Sequence, residues 1–191
     1  YCAATDRVRF VGEPVAIVLA RDRYVAEDAA DLVRVDYEPL PVVVDPERAL
    51  EGSAPILHEA VGSNLAGHRR LVYGDPEGAF RDADVVISDR FSFPKYGSTA
   101  IETYGVIARW DPLDGVCTVW SNFMGPFIMH PLTARVLGLA ENKLRFIVPP
   151  DIGGSFGIKS SIYPYIALIA LAGLRLGVPV KRIEGPREHL L

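Results

Sequence analysis

Hydrophobic and polar positions change period repeatedly along this chain, and each change marks a predicted element. Residues 15–20 are a continuous apolar run behind Gly12 and Pro14, the pattern of a turn followed by a strand. A helical period follows, with Tyr24, Val25, Ala29, Leu32 and Val33 able to share one face. Alternation returns over 33–37, is punctuated by Pro39 and Pro41, and continues over 42–44. Asp45 and Pro46 then predict a short capped helix ending at Leu50. Residues 1–50 thus read as a β-α-β unit. Residues 51–74 are rich in Gly, Ser, Pro and Asn without a period, which predicts a linker. Over 75–191 the pattern predicts a helical turn at 75–80, a strand at 83–93, and a hairpin of 106–110 with 116–120 around Asp111-Pro112-Leu113-Asp114-Gly115. A helix is expected with Pro131 in its first turn and Gly138 as its C-cap, then a strand at 144–148. An apolar helix over 163–176 is stopped by Gly177 and Pro179, and a strand over 179–183 follows.

Composition narrows the function. The 191 residues are 49% hydrophobic, enough for a sizeable core. The formal net charge of -4 is spread along the chain, and the absence of a basic tract argues against nucleic acid. The apolar segment 162–174 is closed by Arg175 and is too short to span a bilayer. The opening residues lack the basic-then-apolar order of a secretory leader, and the missing initial Met predicts a processed chain or a fragment. Cys2 and Cys117 form no C-x-x-C motif and read as free thiols of a cytoplasmic protein. His58 and His68 have no partner at ligand spacing, so no metal site is assigned. Glu13 and Glu38 read as solvated or capping carboxylates rather than an acid–base pair.

The chemistry concentrates at Gly153-Gly154-Ser155-Phe156-Gly157-Ile158-Lys159, between the strand at 144–148 and the helix at 163–176. Glycines permit positive φ and close backbone approach, and a strand–turn–helix junction directs N–H groups at one spot. The spacing is neither a Walker loop nor a dinucleotide fingerprint, since Lys159 follows no glycine directly and G-x-G-x-x-G is absent. From spacing alone, a tight turn with Phe156 in a core is an open alternative.

This loop resembles the G-G-x-F-G-x-K loop of the molybdenum hydroxylase large subunits, the family of xanthine dehydrogenase, aldehyde oxidase and carbon monoxide dehydrogenase. Ile162-Tyr163-Pro164 is more similar to the carbon monoxide dehydrogenase-like branch. Two further segments, 8–20 and the stretch Val33 to Pro41, resemble the family's a/b hammerhead domain, and Ile101-Glu102-Thr103-Tyr104-Gly105 resembles its L-E-x-x-G segment. The resemblance implies an α+β fold: a truncated hammerhead domain over 1–50, a linker over 51–74, and the first part of a molybdopterin-binding domain over 75–191. It implies molybdopterin, in its cytosine dinucleotide form, contacted by Met124, Gly154, Ser155, Phe156 and Gly157. Met124 stands where the family places a glutamine that hydrogen-bonds an oxo ligand of the metal; a shift of register would give that role to Asn122 instead. Glu102 is expected to support the fold rather than act as a base.

The implied parent enzyme oxidises a small aldehyde, heterocycle or carbon monoxide with water as oxygen source. Its expected partners are iron–sulfur and FAD subunits or domains and the C-terminal remainder of the large subunit. The family's catalytic glutamate is expected beyond residue 191, so no catalytic residue is assigned here, and the 191-residue chain alone is expected to be inactive and to carry no cofactor. A structural or assembly module and a phosphate- or nucleotide-binding domain are the alternative readings.

Overall fold

The computed structural model describes residues 2–94, 97–160 and 163–190. Its chain separates into two units, one formed by 1–32 with 95–191 and the other by 33–94.

A four-stranded sheet organises the first unit. Strand β1 (Gly105–Asp111) turns through Gly115, at φ 61°, into β2 (Val116–Ser121), as the hairpin pattern predicts. The Asp111 carboxylate accepts the Leu113 N–H at 3.0 Å and fixes that turn. Helix α3 (Pro126–Leu137) then leads to β3 (Leu144–Ile147), which lies parallel to β2. Helix α4 (Tyr163–Leu176) leads to β4 (Val180–Ile183), which pairs antiparallel with β1. The strand order is β3-β2-β1-β4. Gly177, at φ 66°, closes α4 by donating its N–H to the Gly173 carbonyl at 3.0 Å.

Alternation decides which face is covered. Val106, Ala108, Cys117, Val119, Leu144 and Val180 point to one side and are buried against Met129 and Ala134 of α3 and Ile166, Ile169 and Ala170 of α4. Each large aliphatic side chain buried there contributes about 1.5–3 kcal/mol. Gly173 lets α4 approach the sheet closely, since a Cβ at that position would lie 3.3 Å from the Ala108 carbonyl oxygen. Helix α3 starts at Pro126, five residues ahead of the expected Pro131, which is in its interior. Pro126 also fits a first helical turn, and Pro131 only deprives the Phe127 carbonyl of a donor. The His130 Nε2 lies 2.8 Å from the Leu144 carbonyl oxygen and ties α3 to β3.

The same unit holds α1 (Arg23–Asp31), capped by Asp22, whose carboxylate accepts the Val25 N–H at 2.9 Å. The second unit holds α2 (Pro76–Arg81), capped likewise by Asp75. Its 51–74 stretch is organised by Asn64. That side-chain amide accepts from the Leu57 N–H at 2.9 Å and donates to the Ala49 and Pro55 carbonyls at 3.0 Å. Of the expected helix at 45–50, only a 3-10 turn at Arg48–Leu50 forms. The strands expected at 15–20, 33–37 with 42–44, and 83–93 do not form among the described residues. A strand needs a paired neighbour for its N–H and C=O groups, and alternation alone supplies none. Their apolar residues stay exposed, Ile87 at 86% and Phe91 at 91%.

Candidate functional site

Strand direction gathers the site. Strands β2 and β3 run parallel, and β4, antiparallel to β1, shares their direction. The carboxyl ends of these strands and the start of β1 therefore meet at one edge of the sheet. Three segments that carry predicted chemistry converge there: 102–105 before β1, 121–125 after β2, and 151–160 after β3. The chain leaves β2 for one neighbour and, after β3, crosses to the far side of β1. Such a reversal is where open sheets form crevices beyond their strand ends.

The glycine loop is irregular, as its composition predicts. Gly154 at φ 92°, Phe156 at φ 49° and Gly157 at φ 97° all occupy the left-handed region. For a phenylalanine this costs about 1–2 kcal/mol, so the surroundings must impose it. Gly153 has no room for a side chain, because a Cβ would fall 2.6 Å from that of Glu102. Phe156 is 77% exposed, which overturns the alternative of a core plug.

A buried clamp holds the loop. Lys159 is 0% exposed, and its Nζ donates to Oε2 of Glu102, which also accepts the Gly153 N–H at 2.9 Å. The Lys159 ammonium is the main influence holding the Glu102 carboxyl below its ordinary range. Partial burial opposes it, while the Asn122 amide and the Gly153 N–H assist. Glu102 thus has the supporting role expected of it. The Lys159 carbonyl accepts the Met124 N–H at 3.2 Å, so the two stretches read from the sequence as cofactor-contacting are joined backbone to backbone.

The Asn122 side chain is engaged within the fold. Its Oδ1 accepts the Gly105 N–H and its Nδ2 donates to the Thr103 carbonyl, both at 2.9 Å. The amide thus ties the start of β1 and also assists Glu102. Met124 is 45% exposed and unencumbered by such a role.

The loop leaves a row of donors open. The backbone N–H groups of Gly154, Ser155, Phe156 and Gly157 have no partner among the described residues. A Cβ on Gly157 would meet nothing within 4 Å, so the space beside it is free. Successive free N–H groups in left-handed turns form a concavity that takes an oxygen-rich or anionic group.

Sequence reasoning missed a second cluster at the same edge. The Glu184 carboxylate receives the Tyr104 N–H at 3.3 Å and lies 2.6 Å from Nδ1 of His189. Arg182 lies over the Tyr165 and Tyr104 rings, donates to the Tyr104 hydroxyl, and reaches Glu188 at 2.8 Å. Tyr165, Arg182 and Glu188 of this cluster border a cavity of about 190 Å³, together with Gly12, Pro14 and Ile17. Tyr104 and Glu184 are eighty residues apart, a separation that no local pattern spans. Ile162, one of the residues carrying the branch resemblance, lies outside the described residues. Among the described residues no group of three or more His, Cys, Asp or Glu side chains could hold a metal ion, and no helix is long and apolar enough to cross a membrane.

A glycine loop with open donors, at the carboxyl edge of a sheet and clamped from beneath, defines a cofactor-binding domain of mixed helix and sheet. Residues 57–191 match the molybdopterin cofactor-binding domain, and residues 1–41 match the a/b hammerhead domain of aldehyde oxidase and xanthine dehydrogenase. The chain belongs to this molybdopterin-dependent family. It is 38% identical over 200 residues to the carbon monoxide dehydrogenase large chain of Afipia carboxidovorans, covering 98% of this chain and 25% of that relative. It is also 38% identical over 191 residues to subunit gamma of the 6-hydroxypseudooxynicotine dehydrogenase complex of Paenarthrobacter nicotinovorans, covering 98% and 23%. The crystal structure of the Cu,Mo-CO dehydrogenase superposes with a TM-score of 0.84 at 38% identity, over 98% of this chain and 25% of that one. Quinoline 2-oxidoreductase from Pseudomonas putida 86 gives 0.84 at 32% identity, over 98% and 24%. The chain therefore spans about a quarter of the length of these relatives.

Proposed function

We propose that this chain forms one wall of the molybdopterin site in the large subunit of a molybdenum-dependent dehydrogenase or hydroxylase. The observation that carries the reading is the row of open N–H groups on Gly154, Ser155, Phe156 and Gly157. Those donors would bind the oxygen atoms of the cofactor, and the exposed Phe156 ring would cover it from the same loop. When bound, the cofactor supplies two-electron oxidation of a small organic molecule or carbon monoxide, with water as the oxygen source. The chain's own residues bind and orient. The Glu102–Lys159 pair keeps the loop in its left-handed geometry, and the Met124 N–H locks the β2 exit against it. The Met124 thioether has no hydrogen to donate, so this position would present an apolar surface to the metal's ligands.

On this reading the cofactor carries cytosine dinucleotide, the iron–sulfur and FAD groups reside in partner subunits or domains, and the enzyme is cytoplasmic. A Gly157→Val variant of the full-length protein tests the loop. A branched Cβ at φ 97° both strains the backbone and enters the free space beside it. Metal and pterin analysis should show loss of both, with the circular dichroism spectrum unchanged. Undiminished molybdenum and pterin in that variant would overturn the assignment. Met124→Gln is the complementary change: it adds an amide donor and should alter turnover while leaving cofactor content intact.

A further inference from the structure

The face of the sheet opposite the helices carries its own pattern. Register places Lys181, Ile107, Trp120 and Ile147 side by side across the four strands, and Arg109, Thr118 and Arg145 in the next row. Ile107 remains 39% exposed and Ile147 37%. Trp120, Arg109 and Arg145 border a cavity of about 220 Å³. Arg109, Arg145 and Lys181 stand on this face in a chain of net charge -4, with the carboxylates Asp111 and Asp114 bordering the same cavity. Arg109 is shared with Asp111 at 3.4 Å, while Arg145 and Lys181 have no ion-pair or hydrogen-bond partner among the described residues. Two arginines on strands flanking β2 stand about 9–10 Å apart at the backbone, with a threonine hydroxyl between them. Guanidinium groups at that spacing can grip carboxylates bidentately, and an aromatic–aliphatic row beside them matches the dry centre of a protein interface.

We propose that this face is the docking surface for an acidic segment of the same large-subunit polypeptide lying outside residues 1–191, which sets carboxylates on Arg109 and Arg145 and an apolar strip on Ile107, Trp120 and Ile147. Charge complementarity specifies the chemistry of that segment. The fourfold greater length of the relatives supplies the chain that would carry it. The inference rests on the reading of this chain as part of a long large subunit, and not on the cofactor loop.

Zero-length carbodiimide coupling of the full-length protein tests it, because the reagent joins amines only to carboxylates in contact. Lys181 supplies one amine, and an Arg145→Lys variant supplies a second on an exposed position. Coupling of both to Asp or Glu residues beyond this chain, in the same polypeptide, is the expected result. In the unmodified protein, hydroxyl-radical oxidation of Trp120 should be about tenfold slower than in the urea-unfolded protein. Coupling only to carboxylates within residues 1–191, to a separate subunit or to a second copy would overturn the proposal. So would a Trp120 oxidised as fast as when unfolded. Molybdenum content is read separately and reports on the cofactor loop alone.

Discussion

Breaking the Glu102–Lys159 pair from either side should have unequal consequences, and the inequality follows from exposure. Lys159 is 0% exposed, whereas the Glu102 side chain is 39% exposed. Glu102→Gln leaves an ammonium buried beside a neutral amide. Removing one member of a buried pair in this way costs about 3–5 kcal/mol. Lys159→Met removes the cation and keeps most of the side-chain volume. The remaining carboxylate retains the Gly153 N–H at 2.9 Å and is reached by water. After discounting for that screening, the loss is about 1–2 kcal/mol. The double variant should resemble Lys159→Met, because the Gln carbonyl can still accept the Gly153 N–H. A double-mutant cycle should therefore show a coupling about as large as the Glu102→Gln loss itself, about 3–5 kcal/mol. Thermal unfolding of the purified protein reads this directly, at about 2–4 °C per kcal/mol for a chain of this size.

The pH dependence has a definite sign. The Glu102 carboxyl is depressed below its ordinary value of 4.5 in the folded protein. Its contribution is present above that value and is lost as pH falls through the folded-state pKa. Wild type should lose stability below about pH 4.5 more steeply than Glu102→Gln. Equal and additive losses from the two single variants, with parallel acid limbs, would refute the clamp.

Asn122→Ala should destabilise by about 2–3 kcal/mol, since it orphans the Gly105 N–H and the Thr103 carbonyl together; urea unfolding measures it. Cys117 is buried and its thiol is pushed up to about 11 by desolvation, so it should resist iodoacetamide at pH 8 until the protein unfolds. Cys2, which is only partly buried, should alkylate first; mass spectrometry of a time course reads the order. Gly173→Val should cost about 2 kcal/mol or more by forcing α4 off β1, seen as a lower melting temperature with unchanged helix content.

What the sequence determined by itself is what is local. The hairpin around Asp111-Pro112-Leu113-Asp114-Gly115, the span of α4 and the glycine loop all follow from period and turn chemistry within a short window. Such elements close their hydrogen bonds within themselves or with a sequence neighbour. The order of the motifs along the chain also carries its family membership. Tertiary structure alone decided whether the apolar runs at 15–20, 33–37 and 83–93 became strands, because pairing depends on a neighbour that alternation does not name. It also decided Asn122, whose side-chain amide could have served a ligand and instead closes the start of β1. Most of all, it decided the environment of Glu102. Its carboxylate meets Lys159 fifty-seven residues away only because the start of β1 and the loop after β3 reach the same sheet edge. Burial and charge pairing depend on distance in space, and sequence fixes that distance only after the strands have chosen their order.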